Sequence, residues 1–404
     1  MKTTRALVLD SLDTLEKWIV TNNYKGYDPF DGLSSFLRPL TFGNLLLDRV
    51  LMQTIRQCPI NLRPLLGVTP LESTIGRGYM AWGYLAMLRA TGNKQYYDKA
   101  VGCLKWLEKN RAPGFKSYCW GKHFNYASRG GRYAKLEPIT VWTSIIGLVF
   151  VDAYELLLEN KYLEIAVSIC DWILGVPRTN TDKGTCIGYT TTEKGDCTIH
   201  NQSMLAAAML AKTARYSENN DYLDLAKSAM AFSCNSQLPA GGWYYGENHN
   251  SHWIDNFHSG YNLDALKCYI EYSNDEAYRS NLQKGFEFYK ANFFDEDGRP
   301  KYYHNRTYPI DIQCAAQAIE TLAKFSDHDK SYLNLALKVA DWTIKNMQDK
   351  RGNFYYRQYP IIKAKTPMIH WGQATMFRAL SVLFQKVQEK DQASLRISRA
   401  RLRP

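Results

Sequence analysis

The sequence predicts an all-α protein, an (α/α)6-type toroid of inner and outer helices around a closed ring. Three observations carry that expectation. A Tyr, usually followed four residues later by Ala, precedes another aromatic by ten residues: Tyr96–Ala100–Trp106, Tyr162–Ala166–Trp172, Tyr222–Ala226–Phe232, Tyr278–Phe288 and Tyr332–Ala336–Trp342. The repeated Tyr positions are 66, 60, 56 and 54 residues apart, the spacing of stacked helical units. Each amphipathic repeat helix also follows a helix that is apolar nearly all round, such as 139–158 or 203–212, and a helix with no polar face is buried on both sides.

Along the chain, the N-terminal MKTTRALVLDSLDTLEKW reads as an amphipathic helix, because Asp10 and Asp13 interrupt any signal-peptide core. Then come about six helix pairs of roughly 55–65 residues, with short polar turns inside each pair and Gly/aromatic loops between pairs. Closing the array into a ring buries both ends, which an open solenoid does only with capping repeats. Residues 1–390 are expected to form one toroid. Residues 391–404 are expected to be a basic, disordered tail, with four Arg against Asp391.

The net charge is +11 and the pI about 9.0, which favours anionic partners. No dense Lys/Arg run with interleaved aromatics occurs in the body, which disfavours nucleic acid. The expected partner is an acidic oligosaccharide or lipid-linked saccharide, with peripheral membrane association through assembly partners left open. The nine cysteines are scattered without a CxxC and are expected to be free thiols of a cytoplasmic protein. The stretch 139–151 is too short to span a bilayer. No Walker loop or GxGxxG occurs, no cofactor is expected, and the Cys197/His200/His249/His252/His258 spacings match no zinc pattern.

Polar residues crowd just before or at the start of successive inner helices, so in a toroid they converge at one end. Among them, Asp255, His258, Asp311 and Tyr261 are the candidate catalytic residues. Trp120, Arg129, Asp196, Asn201, Trp243, Asn256, Gln317, His370, Trp371 and Gln373 are the candidate saccharide-binding residues. Aromatic faces stack on pyranose C–H faces, and carboxylates and amides pair with hydroxyls. Each has a plainer reading: the aspartates as helix N-caps, the histidines as bonded core residues, the glutamines as partners of buried carbonyls.

The strings YKGYDPFDGLSS, CWGKHFNYASRGGRY, WIDNFHSGYNLDAL, YPIDIQCAAQAIETL and HWGQATMFRALS resemble those of polysaccharide biosynthesis proteins of the VpsJ type, found in clusters for exopolysaccharide, capsule or O-antigen assembly. The resemblance covers about Tyr24 to Leu383. It implies a six-hairpin toroid related to the terpenoid-cyclase and glycosidase folds, and work on surface polysaccharide, without a defined reaction. Its recurring motifs include Asp28, Asp31, Tyr261 and Arg378.

Two chemistries are open for such an enzyme. A hydrolase needs an acid and a second carboxylate, which Asp255 with Asp311 or Asp196 could supply. A uronic-acid lyase or C5-epimerase needs a base, His258 or Tyr261, and a group that polarises the substrate carboxylate, from Arg129, Asn256 or Gln373. The alternatives are a non-catalytic glycan-binding scaffold and, with no DxDD motif present, a terpenoid or prenyl enzyme.

Overall fold

The computed structural model describes the backbone of residues 2–128, 130–192 and 198–401, and their side chains apart from those of residues 2–4, 330 and 393–401. Arg129, Asp196 and Cys197 therefore lie outside the described residues.

Helix α1 (Lys2–Thr21) is followed by an irregular segment of 3-10 turns that carries α2 (Leu45–Gln57). Five helical hairpins come next: α3 (Thr74–Thr91) with α4 (Lys94–Lys109), α5 (Thr140–Leu157) with α6 (Asn160–Leu174), α7 (His200–Ser217) with α8 (Asn220–Cys234), α9 (Asn256–Ser273) with α10 (Arg279–Asn292), and α11 (Ile312–Phe325) with α12 (Lys330–Met347). A π-helical turn, Ile369–Ala374, opens the last helix, α13 (Thr375–Arg401). Helix α3 packs on α5, α5 on α7, α7 on α9, α9 on α11, α11 on α13, and α13 back on α3. The ring is closed. Helix α1 packs on α13 and α12 and takes the sixth outer place. The approach of α3 to α13 is close: a Cβ on Gly83 would stand 2.7 Å from a Phe377 ring carbon.

The repeat predicted in sequence lies on the outer helices α4, α6, α8, α10 and α12, and Tyr162, Ala166, Tyr222, Ala226 and Ala336 are buried against the inner ring. The turn inside a hairpin has a local cause. Inner helices α3, α5, α7 and α9 end on a left-handed residue, Gly92, Leu158, Glu218 or Asn274. Asn93, Asn219 and Asp329 then cap α4, α8 and α12 through side-chain oxygens. Helix α5 is long and apolar enough to cross a membrane, but it is an inner helix with most of its length buried in the ring.

Between hairpins the chain forms short antiparallel ladders: β1 (Tyr126–Ser128) with β2 (Gly131–Tyr133), β3 (Arg178–Thr181) with β4 (Gly184–Ile187), and β5 (Ile310–Asp311) with β6 (Arg357–Gln358) and β7 (Lys363–Ala364). They stand at the N-terminal end of the inner helices.

Helix α13 continues to Arg401, and Asp391 Oδ2 accepts a hydrogen bond from Arg5 Nη1 at 3.0 Å. The stretch 391–401 has good helix formers and no Gly or Pro, so nothing in it stops the helix. One expectation is corrected. Cys186 is disulfide-bonded, with its partner outside the described residues, while the seven other described cysteines are free. Scatter in sequence gave no sign of that bridge.

Candidate active site

The six inner helices present their first turns to one funnel. Its wall is aromatic: Phe30 meets Trp371 edge-on at 5.7 Å, Phe257 meets Trp371 at 5.2 Å, and Trp142 meets His370 at 5.2 Å. Tyr245 stacks on Trp253 at 4.6 Å and lies 4.5 Å from His258.

Two histidines hold carboxylates here. Asp255 caps α9 through its Oδ1, which accepts the His258 N–H at 3.0 Å. Its Oδ2 takes His258 Nδ1 at 2.7 Å and Trp253 Nε1 at 3.0 Å. The i, i+3 spacing of the first turn thus aims the ring at its own cap. His370, in the π-helical turn, places Nδ1 2.8 Å from Asp28 Oδ2. Burial opposes ionisation of Asp28, but the hydrogen bond and charge of His370, helped by Lys122, overcome it and hold the carboxyl below its usual range. An ionised carboxylate only accepts, so Nδ1 of His370 donates to it, and in the neutral ring this contact selects the tautomer in which Nε2 is the acceptor. Neither Nε2 has a hydrogen-bond partner among the described residues. His200 differs: both its nitrogens are engaged, by Ser233 Oγ and by Glu247 Oε1, and it is buried.

Two cations face the same space. Lys122 is 6% exposed, with Nζ 3.6 Å from the Tyr126 ring centre, 4.6 Å from Phe30 and 5.4 Å from Trp142. Burial is the main reason its pKa falls to about 8; Asp28 pulls it back and Arg56 pushes it further down. The Arg56 guanidinium sits over the other flank of Phe30 at 4.5 Å and donates to Tyr356 Oη. Among the described residues neither cation pairs with a carboxylate. Beside them Gly26, Asp28, His123, Trp142 and Ile369 line a small recess of about 10 Å³.

The structure separates the other sequence candidates. Trp371 lines the funnel and donates Nε1 to Asp311 Oδ1 at 3.0 Å. Asp311 caps α11 at Gln313 N–H, and its Oδ2 meets the buried Arg357 Nε at 2.5 Å. Three donors converge on it, so it is an anchor rather than an acid. Tyr261 is buried, hydrogen-bonded to Tyr79 Oη at 2.8 Å and Gln313 Nε2 at 2.7 Å, and burial pushes its pKa well up. Its hydroxyl is held in the core by these two partners. Trp120 and Trp243 are corrections: each lies in the core and donates Nε1 to a carbonyl near the end of an outer helix, Leu107 or Ser233. Gln373 is likewise spent on the Phe354 backbone, N–H and carbonyl both.

Asn256 Oδ1 accepts from Tyr289 Oη at 2.7 Å inside the core, and its Nδ2 is unsatisfied. Asn201 is buried in the first turn of α7 with an unsatisfied Oδ1. Gln317 belongs beneath the floor, donating to Asp264 and Thr321 in a charged network with Lys324, Glu320 and Arg378. Sequence reasoning did not single out Lys122, Arg56, Trp142 or Phe30; no spacing marks them. Among the described residues no group of three or more His, Cys, Asp and Glu is placed to hold a metal ion.

With this geometry in hand, the comparisons with known proteins show the fold. The chain is similar to a cellobiose 2-epimerase from Bacillus thermoamylovorans, at 12% identity over 78% of this chain and 88% of that one, with a TM-score of 0.61. It is similar to a GH76 alpha-mannanase of Bacteroides thetaiotaomicron, at 13% identity over 81% and 90%, TM-score 0.62. A polysaccharide lyase aligns over 96% of this chain and 98% of its own, at 12% identity and TM-score 0.58. The chain therefore has the six-hairpin α/α toroid fold shared by those proteins. No protein-family model matches it, and no curated protein matches it in sequence.

Proposed function

We propose that the protein is a carbohydrate-active enzyme that moves a proton on an acidic saccharide, as a uronic-acid epimerase or lyase, rather than a hydrolase. The observation that carries this reading is the pair of Asp-held histidines, Asp255–His258 and Asp28–His370, the first against Phe257 and the second against its neighbour Trp371, neither with an Nε2 hydrogen-bond partner among the described residues. Hydrolysis needs a carboxyl that can give a proton, and Asp255 and Asp311 both accept hydrogen bonds at each oxygen.

In this reading one histidine Nε2 takes the proton from the carbon beside the sugar carboxylate. The electron pair spreads onto that carboxylate, where Lys122 and Arg56 balance the added charge. The proton returns from the second histidine on the opposite face, or the group at the neighbouring carbon leaves with a proton from it. Fixed aromatic faces at Trp142, Trp371 and Phe257 hold the ring. The fold neighbours, a cellobiose 2-epimerase and a polysaccharide lyase among them, support a saccharide substrate. The VpsJ-type motifs support a place in surface-polysaccharide assembly.

The test is mass spectrometry of uronic-acid and neutral oligosaccharides incubated in deuterated water with wild type, His258→Gln and His370→Gln. Deuterium uptake or an unsaturated end on the acidic members alone, lost in both variants, is the expected result. Added water that persists in both variants would establish a hydrolase and end the proposal. Binding without any turnover would favour the glycan-binding scaffold.

A further inference from the structure

Residues 32–71 carry an apolar surface that the toroid does not cover. Phe42 is 86% exposed, Leu65 76% and Ile60 71%, and Phe36, Leu40, Leu46, Leu47 and Val50 are exposed with them. Single exposed apolar residues are ordinary, but a run of this length is not. Helix α2 shows the arrangement. One face, with Met52 and Ile55, is buried against the segment around Leu33 and the β1–β2 hairpin. The opposite face, Leu46, Leu47 and Val50, points to solvent at helical spacing and is apolar too. The β6–β7 turn extends the surface with Ile361, 99% exposed, and Ile362. Arg357 and Tyr359 of that ladder tie it to the end of α2 by hydrogen bonds to Gln57 Oε1.

The charge on this face has one sign. Asp48 is the only acidic residue between 32 and 71, and it is buried, held by Arg132 Nε and Thr41 Oγ1. Arg38, Arg49 and Lys365 sit at the surface around the apolar side chains. Two copies meeting through this face would oppose like charges. An apolar face edged with cations matches the boundary of an anionic bilayer, where the apolar side chains enter the acyl region and the cations meet headgroup phosphates.

We propose that the segment 36–65, with the β6–β7 turn, docks the protein on an anionic lipid surface. Arg56 of this segment, and Phe30 just before it, stand beside Trp371 at the funnel, so docking sets the mouth near the headgroups, where the saccharide end of a lipid-linked substrate would stand. The docking stands apart from the reaction proposed above, because no funnel residue is needed for it.

The experiment is flotation of the full chain with vesicles of phosphatidylcholine alone and of phosphatidylcholine with phosphatidylglycerol, beside light scattering of the protein in solution. Wild type is expected to float with the anionic vesicles, and less as salt rises. Arg38→Ala with Arg49→Ala should lower that binding by roughly 25-fold, about five-fold per cation removed. Phe42→Glu with Leu46→Glu should abolish it. Arg38, Phe42 and Leu46 are exposed and Arg49 is half-buried, so circular dichroism melting should stay close to that of wild type. Absence of flotation, or flotation unchanged in both variants, overturns the proposal. A wild-type dimer that the Phe42→Glu, Leu46→Glu variant dissociates, without vesicle binding, overturns it in favour of a second copy.

Discussion

Replacing Lys122 by Met tests whether the funnel is built for an anion. The lysine is nearly enclosed, and its pKa falls from 10.5 to about 8, chiefly by burial. A fall of that size corresponds to about 3 kcal/mol against the charged form at neutral pH. The rings of Phe30, Tyr126 and Trp142 return about 1–2 kcal/mol by cation–π attraction, which leaves a net cost of about 1–2 kcal/mol. Met keeps the volume and removes the charge, so at pH 7 the variant should be the more stable by that amount. For a chain of 404 residues this raises Tm by only about 1–3 °C.

The sign of the pH dependence follows from linkage. A lysine with a depressed folded pKa costs stability below that value, and the cost is recovered as pH rises from about 8 toward 10.5. The variant's advantage should therefore shrink between those limits. The same substitution should weaken binding of an acidic saccharide and leave a neutral one unaffected. Calorimetric melting at pH 7 and pH 9.5, with titration of both sugars, reads all of it. A variant less stable than wild type at pH 7, or equal losses for both sugars, would refute the reasoning.

Three other substitutions and modifications separate scaffold from site. Trp120→Ala or Trp243→Ala should cost about 3–5 kcal/mol, because these rings fill the core; thermal unfolding should fall while any remaining folded protein binds saccharide normally. Asp311→Ala should cost about 3–5 kcal/mol by stranding the buried Arg357, whereas Asp311→Ala with Arg357→Met should recover much of it in a double-mutant melt. Alkylation of the unfolded, unreduced chain followed by peptide mass spectrometry should leave Cys186 unlabelled and label Cys58, Cys103, Cys119, Cys170, Cys234, Cys268 and Cys314.

The ring was legible because it is periodic. Each outer helix repeats Tyr, Ala and an aromatic on one face, and each inner helix lacks a polar side, so local pattern already names the layer. The Asp255–His258 pair was legible for the same reason, since three residues bring a cap and the next ring together in a first turn. The other pair was not: Asp28 and His370 are 342 residues apart and meet only because α13 closes on α3. Distance in sequence hides Arg357 on Asp311 as well. Trp120 and Trp243 misled because an aromatic after a Gly-rich loop looks alike whether it turns into the funnel or under the outer helix. Each turns inward because its indole N–H finds a helix-end carbonyl there. Lys122 left no trace in pattern, since its setting is made by rings from three separate segments.

The central claim is that His258 and His370 exchange protons with a carbon of the bound sugar. The most direct measurement is proton NMR of an acidic oligosaccharide in deuterated water with wild type and with each single His→Gln variant. The signal of the proton beside the carboxylate should disappear with wild type, and its loss should be slowed by about 10²–10⁴-fold in both variants. Loss of that signal at the wild-type rate in both variants, or release of a reducing end with the signal intact, would contradict the account.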